Sequence, residues 1–546
     1  MLATATNART DLGSTIRYWA EERPDAIAMD DGITRISYRE LDQMADRYAR
    51  AFVASGLAPG NRIAWLGKNA SLYFTLLIAA SRAGLAMVPV GWRLAVPEVR
   101  YILSDTEAAL LVCQPFSAET ARAAAEGLDS LKTLLIDAEG DASGLQSLDI
   151  WAAEQGDAAL PQVDPERGVL QLYTSGTTGH PKGAVLCNRN MFALRPIIEA
   201  SDVDWYKVSA EDSMLVIMPV AHIAGSGVGT IAFYNGCRAV IRAEFSPDAV
   251  LDCVADGVTH MFLVPTALQM VVNHPRAATT DWSRLKLVMY GAAPIPLELL
   301  RQCMHVMGAE FCQQYGMTET TGTFCALPPE DHDPNGNQRM RSAGKALPGV
   351  EIRIIDAAGN PVPNGTIGEI ATRSPLNMTG YWRNEAKTRE TVDGDGWLRT
   401  GDAAYMDDDG YVYIQDRVKD MIISGGENVY PAEVENAIFG HPDVLEVAVI
   451  GIPDEKWGEA VKAVVVPSRG TRSIRHRSSP GPASGSHRSR LPRAWMSFRK
   501  CRAMPRARSC GANCARHIGR VRSARSPDRA ASPAGSRAAR CTCRSR

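Results

Sequence analysis

Apolar residues recur along most of this chain in two rhythms that alternate. Helical spacing runs through Thr15–Glu22, Tyr38–Ser55, Ala70–Arg82 and Pro97–Asp105, and short apolar runs stand between at Arg62–Leu66, Ala86–Pro89 and Leu110–Val112. A strand-like pair, Ala26–Asp30 and Thr34–Ser37, opens the series, and further runs follow at Ser213–Met218, Ala239–Ile241, Met261–Val264 and Leu285–Met289. Helices between short apolar strands predict an α/β fold, a mostly parallel sheet covered by helices. Several of these strands lead into Gly- or Pro-marked loops, where such folds keep their sites. From Gly349 the period falls to two. Val350–Asp356, Ile367–Thr372 and Tyr411–Ile414, with turns such as Ala358-Gly359-Asn360 between them, predict an antiparallel, barrel-like subdomain. Pro431–Ile438 then predicts a helix, and Val444–Ile452 and Ala460–Val466 predict strands; no internal repeat is visible.

Composition changes this picture at one point. Residues 1–467 carry 38 basic and 60 acidic side chains, whereas residues 468–546 carry 20 Arg and one Lys against the single acid Asp528. The charge therefore moves from −22 to +20 within a chain whose total is −2. The body is long enough for two or more domains with full cores, and its acidity makes nucleic acid an unsuitable partner. Its longest apolar stretches fall short of the ~20 residues of a membrane span. The N-terminus lacks the basic and apolar regions of a signal peptide, so a cytoplasmic protein is expected. Seven of the 12 cysteines fall between Cys113 and Cys325 in apolar or mixed surroundings, the pattern of buried free thiols. Cys510 with Cys514 and Cys541 with Cys543 lack a histidine at metal-binding spacing, so no zinc site is expected.

Candidate chemistry begins at Tyr173-Thr174-Ser175-Gly176-Thr177-Thr178-Gly179-His180-Pro181-Lys182-Gly183. Gly176 and Gly179 let backbone N–H groups converge on an anion, the four hydroxyls add donors, and Lys182 brings a mobile positive charge. It is not a Walker A loop, because Pro181 and Gly183 stand where Gly and Ser/Thr would be. In Tyr315-Gly316-Met317-Thr318-Glu319-Thr320, Glu319 is a lone carboxylate beside a turn glycine and hydroxyls. That suits a Mg²⁺ ligand bridging phosphates, although the segment taken alone favours a solvated side chain. Gly401-Asp402 offers a carboxylate at a turn for ribose hydroxyls, and Arg417 a forked donor set; either also fits an ordinary surface charge. Ser424-Gly425-Gly426-Glu427-Asn428 is a tight turn that would let backbone approach a narrow channel, or a plain loop.

Together these segments resemble the adenylate-forming superfamily of acyl- and aryl-CoA synthetases, luciferases and peptide adenylation domains. The likeness runs over residues 10–467. Beside the segments above it includes Met218-Pro219-Val220-Ala221-His222-Ile223-Ala224-Gly225, Gly291-Ala292-Ala293-Pro294, Gly380-Tyr381-Trp382 and Trp397–Asp402. The acyl-CoA ligase branch fits best, since the Ser424–Asn428 turn looks like the pantetheine-channel loop and no carrier domain follows. The resemblance implies a large domain over 10–417, built of two helix-flanked sheets plus the antiparallel subdomain, and a small, truncated α/β domain over 418–467. It also implies roles. Thr174, Ser175 and Lys182, with Gly176, Thr177, Thr178 and Gly179, grip the β- and γ-phosphates of ATP. Thr318 and Glu319 hold the α-phosphate and Mg²⁺. Gly291, Ala292, Ala293 and Tyr315 form the adenine slot. Asp402 takes the ribose and Arg417 supports it. Lys419 is the hinge of the small domain, Gly425 and Gly426 face CoA, and His222 stands between acyl pocket and thiol channel. A carboxylic acid, ATP and CoA are the implied partners, with a homodimer left open.

Two further expectations follow. The pocket walls fall on His222, Ile223, Gly225, Val228, Gly291, Met317, Thr321 and Gly322, mostly small or apolar, which favours a hydrophobic fatty or aryl monocarboxylate. The superfamily also has a catalytic lysine in a Gly-Lys segment near its C-terminus, and none stands here; Lys500, the tail's one lysine, has no preceding glycine. GC-rich codons for Arg502–Gly519, read two bases later, can spell Arg-Asn-Ala-Ser-Gly-Lys-Lys-Leu-Arg-Arg-Glu. The 468–546 tail therefore reads as frame-shifted and disordered or extended, impairing adenylation in this copy, with a lineage-specific basic tail that binds nucleic acid or anionic lipid as the alternative. A carrier-loading acyl-AMP ligase and a non-catalytic ATP-binding protein are the other functions the pattern admits.

Overall fold

Two large sheets, with helices packed on and between them, organise most of the chain. The computed structural model describes residues 9–138, 144–174, 180–417, 420, 422–424, 427–429, 431, 434–435, 438, 444–454, 458–467 and 494–497. The chain divides into two compact units, Met1–Gln415 and Asp416–Arg546.

In the first unit an eight-stranded sheet runs in the order Gly380–Tyr381, Lys182–Cys187, Gly168–Thr174, Ala86–Gly91, Arg62–Gly67, Leu110–Cys113, Thr133–Ile136, Gln146–Ser147. It is parallel from Gly168–Thr174 onward and antiparallel at the first two strands. A nine-stranded sheet has the parallel core Glu310–Met317, Leu287–Gly291, His260–Leu263, Ser213–Val216, Arg238–Ile241, Ile27–Asp30. Antiparallel strands flank it, Gly322–Leu327 and Lys345–Ala346 at one edge and Arg35–Ser37 at the other. The expected α/β architecture is present.

Local chemistry explains the elements. Helix Tyr38–Ala54 starts at a capping box, in which Ser37 accepts the Glu40 N–H and Glu40 accepts the Ser37 N–H. It buries Leu41, Ala45, Tyr48, Ala49 and Phe52, an apolar stripe at helical spacing. Helix Ser71–Ala83 is buried on every side, including Phe74, Leu77 and Ile78. Enclosing a side chain as large as that of Phe74 stabilises by ~1.5–3 kcal/mol. Gly229 fits there because a Cβ would stand 2.3 Å from the Phe74 ring, so helix Ile223–Tyr234 packs close against Ser71–Ala83.

The antiparallel subdomain is the four-stranded sheet Glu351–Ile355, Gly368–Arg373, Leu398–Met406, Val412–Arg417. Here the structure corrects one placement. Asp402, expected at a turn, lies within strand Leu398–Met406. The pairing with Gly368–Arg373 skips register between Glu369 and Ala371, leaving extra residues opposite, and Gly401 takes the left-handed φ of 76°. A bulge bends a strand and re-aims its side chains without ending it. The Tyr315 segment likewise lies in strand Glu310–Met317, which returns through a turn at 318–321.

The second unit is built on the antiparallel strands Val444–Asp454 and Gly458–Pro467 with the hairpin Ile422–Ser424 and Glu427–Val429. Ile422, Val434, Ile438, Val449, Ala463 and Val465 form its core. Ala494–Ser497, from the arginine-rich segment, runs parallel to Gly458–Pro467. The seven cysteines from Cys113 to Cys325 are buried free thiols, as expected. Among the described residues no helix is long and apolar enough to cross a membrane.

Candidate active site

Strands Gly168–Thr174 and Lys182–Cys187 carry the two stems of the glycine-rich loop, with Thr174 opposite Lys182 and Tyr173 opposite Gly183. Ser175, Gly176, Thr177, Thr178 and Gly179 lie outside the described residues. Thr174 donates its hydroxyl to Glu319 Oε1 at 3.2 Å, and the Tyr381 hydroxyl donates to the same oxygen at 2.8 Å. Lys182 Nζ lies 5.5 Å from the Tyr381 ring centroid, within cation–π range. Two distant segments therefore converge on one carboxylate, with Lys182 alongside. Glu319 is only 5% exposed, and its other oxygen receives no hydrogen bond from the described residues. A buried carboxylate held through one oxygen, with the second uncommitted, has the chemistry to accept a hard cation. Among the described residues no group of three or more His, Cys, Asp or Glu gathers as an all-protein metal cage.

Beside it, strand Leu287–Gly291 ends where a Cβ on Gly291 would stand 2.0 Å from the Gln314 carbonyl oxygen. Only glycine allows that approach. Ala292 follows with the left-handed φ of 64°, and Ala292 and Ala293 are exposed. On the adjoining strand Tyr315 packs edge-on to Phe324 and donates its hydroxyl to Asp402 Oδ2 at 2.7 Å. Asp402 is 6% exposed, and the bulge that aims it is pinned where the Gly401 N–H donates to Glu369 at 2.9 Å. Thr318 sits half-buried next to Glu319. His222 precedes helix Ile223–Tyr234 as its exposed N-cap residue. Ile223 reaches within 3.6 Å of a Cβ placed at Gly322, which brings the helix start against the 318–322 turn. Val228 is buried, and the Thr321 hydroxyl donates to the Leu376 carbonyl. Arg417 ends strand Val412–Arg417, while Lys419, Gly425 and Gly426 lie outside the described residues.

The sequence profile of the AMP-binding enzyme family matches residues 16–382, about two-thirds of the chain. The chain belongs to the AMP-binding enzyme family. The profile of the AMP-binding enzyme C-terminal domain matches residues 433–509, a span that runs into the arginine-rich segment. Among proteins of known function, the chain is 39% identical over 462 residues to the fatty acid–[acyl-carrier-protein] ligase ScoC of Streptomyces coeruleorubidus, covering 84% of this chain and 87% of that protein. It is 38% identical to the feruloyl-CoA synthase of an Amycolatopsis species, covering 84% and 89%. The crystal structure of ATP-bound MatB from Rhodopseudomonas palustris superposes with a TM-score of 0.75 at 31% identity, covering 85% of this chain and 89% of that one. The enzyme class is therefore AMP-forming acid–thiol ligase, a class that uses ATP.

This AMP-binding enzyme also holds its loop stems with residues that no sequence motif marks. Helix Val96–Thr106 presents Tyr101 and Asp105 one turn apart. Tyr101 stacks on His180 with centroids 5.0 Å apart and donates its hydroxyl to the Pro181 carbonyl at 3.1 Å. The Asp105 carboxylate accepts the Tyr173 hydroxyl, and its carbonyl accepts the Trp382 indole N–H at 2.9 Å. Burial and the bond to Asp105 push the Tyr173 hydroxyl well above its ordinary pKa, so it stays a donor. The Trp382 backbone N–H donates to the Gly183 carbonyl, and the Arg62 guanidinium lies 3.3 Å over the Trp382 ring. Arg62 also donates to Gln171, whose amide donates to Tyr173. Burial lowers the Arg62 pKa to about 10, which leaves it charged at neutral pH. One helix thus contacts both stems and Trp382, the residue after strand Gly380–Tyr381. An i, i+4 pair on an amphipathic helix gives no sign of this in the sequence.

Proposed function

We propose that this protein is an ATP-dependent acyl-CoA synthetase that activates a fatty or aryl carboxylic acid through an acyl-AMP intermediate. The observation that carries it is the convergence of Thr174 and Tyr381 on Glu319, with Lys182 against the Tyr381 ring, beside the Tyr315–Asp402 pair. In this proposal Thr174, Ser175 and Lys182 take the terminal phosphates, with the 176–179 backbone around them. Gly291, Ala292, Ala293 and Tyr315 flank the adenine, and Asp402 and Arg417 take the ribose. Lys419 serves as the pivot of the small domain, and Gly425, Gly426 and His222 border the path of the thiol.

The acid's carboxylate attacks the α-phosphorus in line, and pyrophosphate leaves. Lys182 and the hydroxyl donors offset charge on the departing phosphates, and Thr318 steadies the α-phosphate. Mg²⁺, when bound at Glu319, would neutralise phosphate charge. Tyr381 and Thr174 orient the Glu319 carboxylate for that role, since both hydroxyls hold the same oxygen. Coenzyme A then attacks the mixed anhydride through its thiol, releasing AMP.

The likeness to ScoC favours a second outcome, transfer to a carrier protein. Purified enzyme given acid and ATP, with either CoA or a phosphopantetheinylated carrier protein, separates the two. AMP release that requires CoA supports the synthetase, whereas carrier acylation without CoA use replaces it. We propose in addition that the 468–546 tail is frame-shifted and lowers adenylation by removing the Gly-Lys segment. Sequencing the coding DNA from Ala460 to Arg520 should give a one- or two-base discrepancy, or an alternate frame containing Gly-Lys. An absent alternate frame would make the tail genuine. A restored chain that binds ATP without turnover would favour the non-catalytic alternative. A soluble cytoplasmic location agrees with the lack of a spanning helix among the described residues.

A further inference from the structure

Thr321 holds a left-handed backbone, with φ 53° and ψ 34°, where the 318–320 turn ends. Four non-glycine residues have a positive φ among the described residues, and Thr321 alone of them is β-branched. That is the residue type for which the conformation is most costly, and glycine would adopt it without strain. The threonine hydroxyl supplies what glycine lacks. It donates to the Leu376 carbonyl at 2.6 Å, while the Thr321 N–H closes the turn on the Thr318 carbonyl at 3.0 Å. A strained residue persists where its surroundings over-determine it, and such residues gather at active sites.

The segment that receives this hydroxyl meets Glu319 twice more. The Met378 N–H donates to the Glu319 backbone carbonyl at 2.8 Å, and the Tyr381 hydroxyl reaches the Glu319 carboxylate. Between them, the Thr379 N–H and hydroxyl both donate to the Val185 carbonyl at 3.0 Å. Gly380 and Tyr381 then pair with Val185 and Ala184 on the second stem of the glycine-rich loop. The near end of the segment is fixed as well, because the buried Asn190 amide donates to the Pro375 and Asn377 carbonyls at 3.0 and 2.7 Å. Residues 375–381 therefore bracket the turn to the loop. Met378 holds the middle of the turn, Tyr381 holds the carboxylate that leaves it, and Thr321 holds its exit.

We propose that Thr321 is a positioning residue for nucleotide binding: its bond to Leu376 keeps the 318–321 turn wound so that Glu319 is set for the nucleotide's Mg²⁺. This rests on the ATP-dependent function above, and it gives Thr321 a part beyond the acyl-pocket wall expected of it.

The test is calorimetry on the full chain, measuring ATP binding with and without Mg²⁺ and AMP binding without it. Thr321→Val keeps the shape and the branch but has no hydroxyl. In that variant the gain in ATP affinity on adding Mg²⁺ should fall by about 3–10-fold, the size of one lost hydrogen bond. Metal-free ATP and AMP should bind within about twofold of wild type. Thr321→Ser keeps the donor and should retain the gain. Thr321→Gly takes the left-handed turn without strain yet lacks the bond, so its gain should lie between those of the Ser and Val variants; it replaces Val if that variant does not fold. A wild-type gain in the variants without the hydroxyl overturns the proposal, as does a Ser variant as weak as they are. Equal weakening of AMP overturns it too, since a general packing defect would do that. If the wild type binds ATP and Mg²⁺ adds nothing, the proposal fails alone; if it binds no ATP at all, the ATP-dependent function fails with it.

Discussion

The Glu319 carboxylate receives the Thr174 hydroxyl at 3.2 Å across 145 residues of sequence. That bond ties the turn after strand Glu310–Met317 to the first stem of the glycine-rich loop, so the carboxylate and that stem are set with respect to each other. Glu319→Gln keeps the volume and an acceptor for both hydroxyls but removes the charge. Calorimetry should show MgATP affinity falling about 10–100-fold, the size expected for a contact to a charged group, with the dependence on Mg²⁺ lost. Unchanged Mg²⁺ dependence would remove Glu319 from the metal role.

Tyr101 and Asp105 bond to the stems of the loop, and among the described residues to none of those assigned to adenine or ribose. Tyr101→Phe deletes one hydrogen bond and keeps the stack on His180; Asp105→Asn weakens the bond from Tyr173. Each should reduce ATP affinity by roughly 3–10-fold, matching a net ~0.5–1.5 kcal/mol per hydrogen bond. AMP has no terminal phosphates for the loop to hold, so its affinity should stay within about twofold. Equal losses for ATP and AMP would mean a general destabilisation instead.

Gly291→Ala forces a methyl group to within 2.0 Å of the Gln314 carbonyl oxygen, and neither strand can move without breaking its ladder. Overpacking of this kind costs about 1–3 kcal/mol, and AMP binding should weaken along with stability. Gly394→Ala meets nothing within 4 Å and serves as the control, expected within about ±0.5 kcal/mol. Urea unfolding and AMP titration of both variants check this.

His332 shares a hydrogen bond of 2.9 Å with Tyr290, the residue before Gly291, and its other nitrogen faces the Pro328 carbonyl. Burial brings its pKa down from 6.5 to about 4 despite that carbonyl. The unfolded chain takes up this proton first as pH falls. The stability contributed is therefore complete above pH 6.5, declines as pH drops towards 4 and is gone below, a loss of up to about 3 kcal/mol. His332→Phe should flatten urea-midpoint profiles across that window. A slope identical to wild type would place the titration elsewhere.

Some of this protein was legible in the linear sequence. The strands at Arg62–Gly67, Ala86–Gly91 and Leu110–Cys113 and the helices between them followed from apolar periodicity, because burial on one face repeats every two or 3.6 residues. The Tyr173–Gly183 run announced itself because glycine and hydroxyl density is local, and Asp402 was visible as a chemical type. Its position was not, since the register skip opposite Glu369 that turns it towards Tyr315 depends on which strand pairs with which. Tyr381 stood in a segment that resembles the family but without a role, and Asp105 carried no mark at all. A tyrosine and an aspartate on an amphipathic helix have ordinary solvated uses. Only the tertiary structure puts Tyr381 on Glu319 and Asp105 under Tyr173, because those contacts join residues 62 and 68 positions apart. Sequence alone determined the elements and the kinds of chemistry they carry; the packing of the two sheets decided which of those groups meet and which charges lose their water.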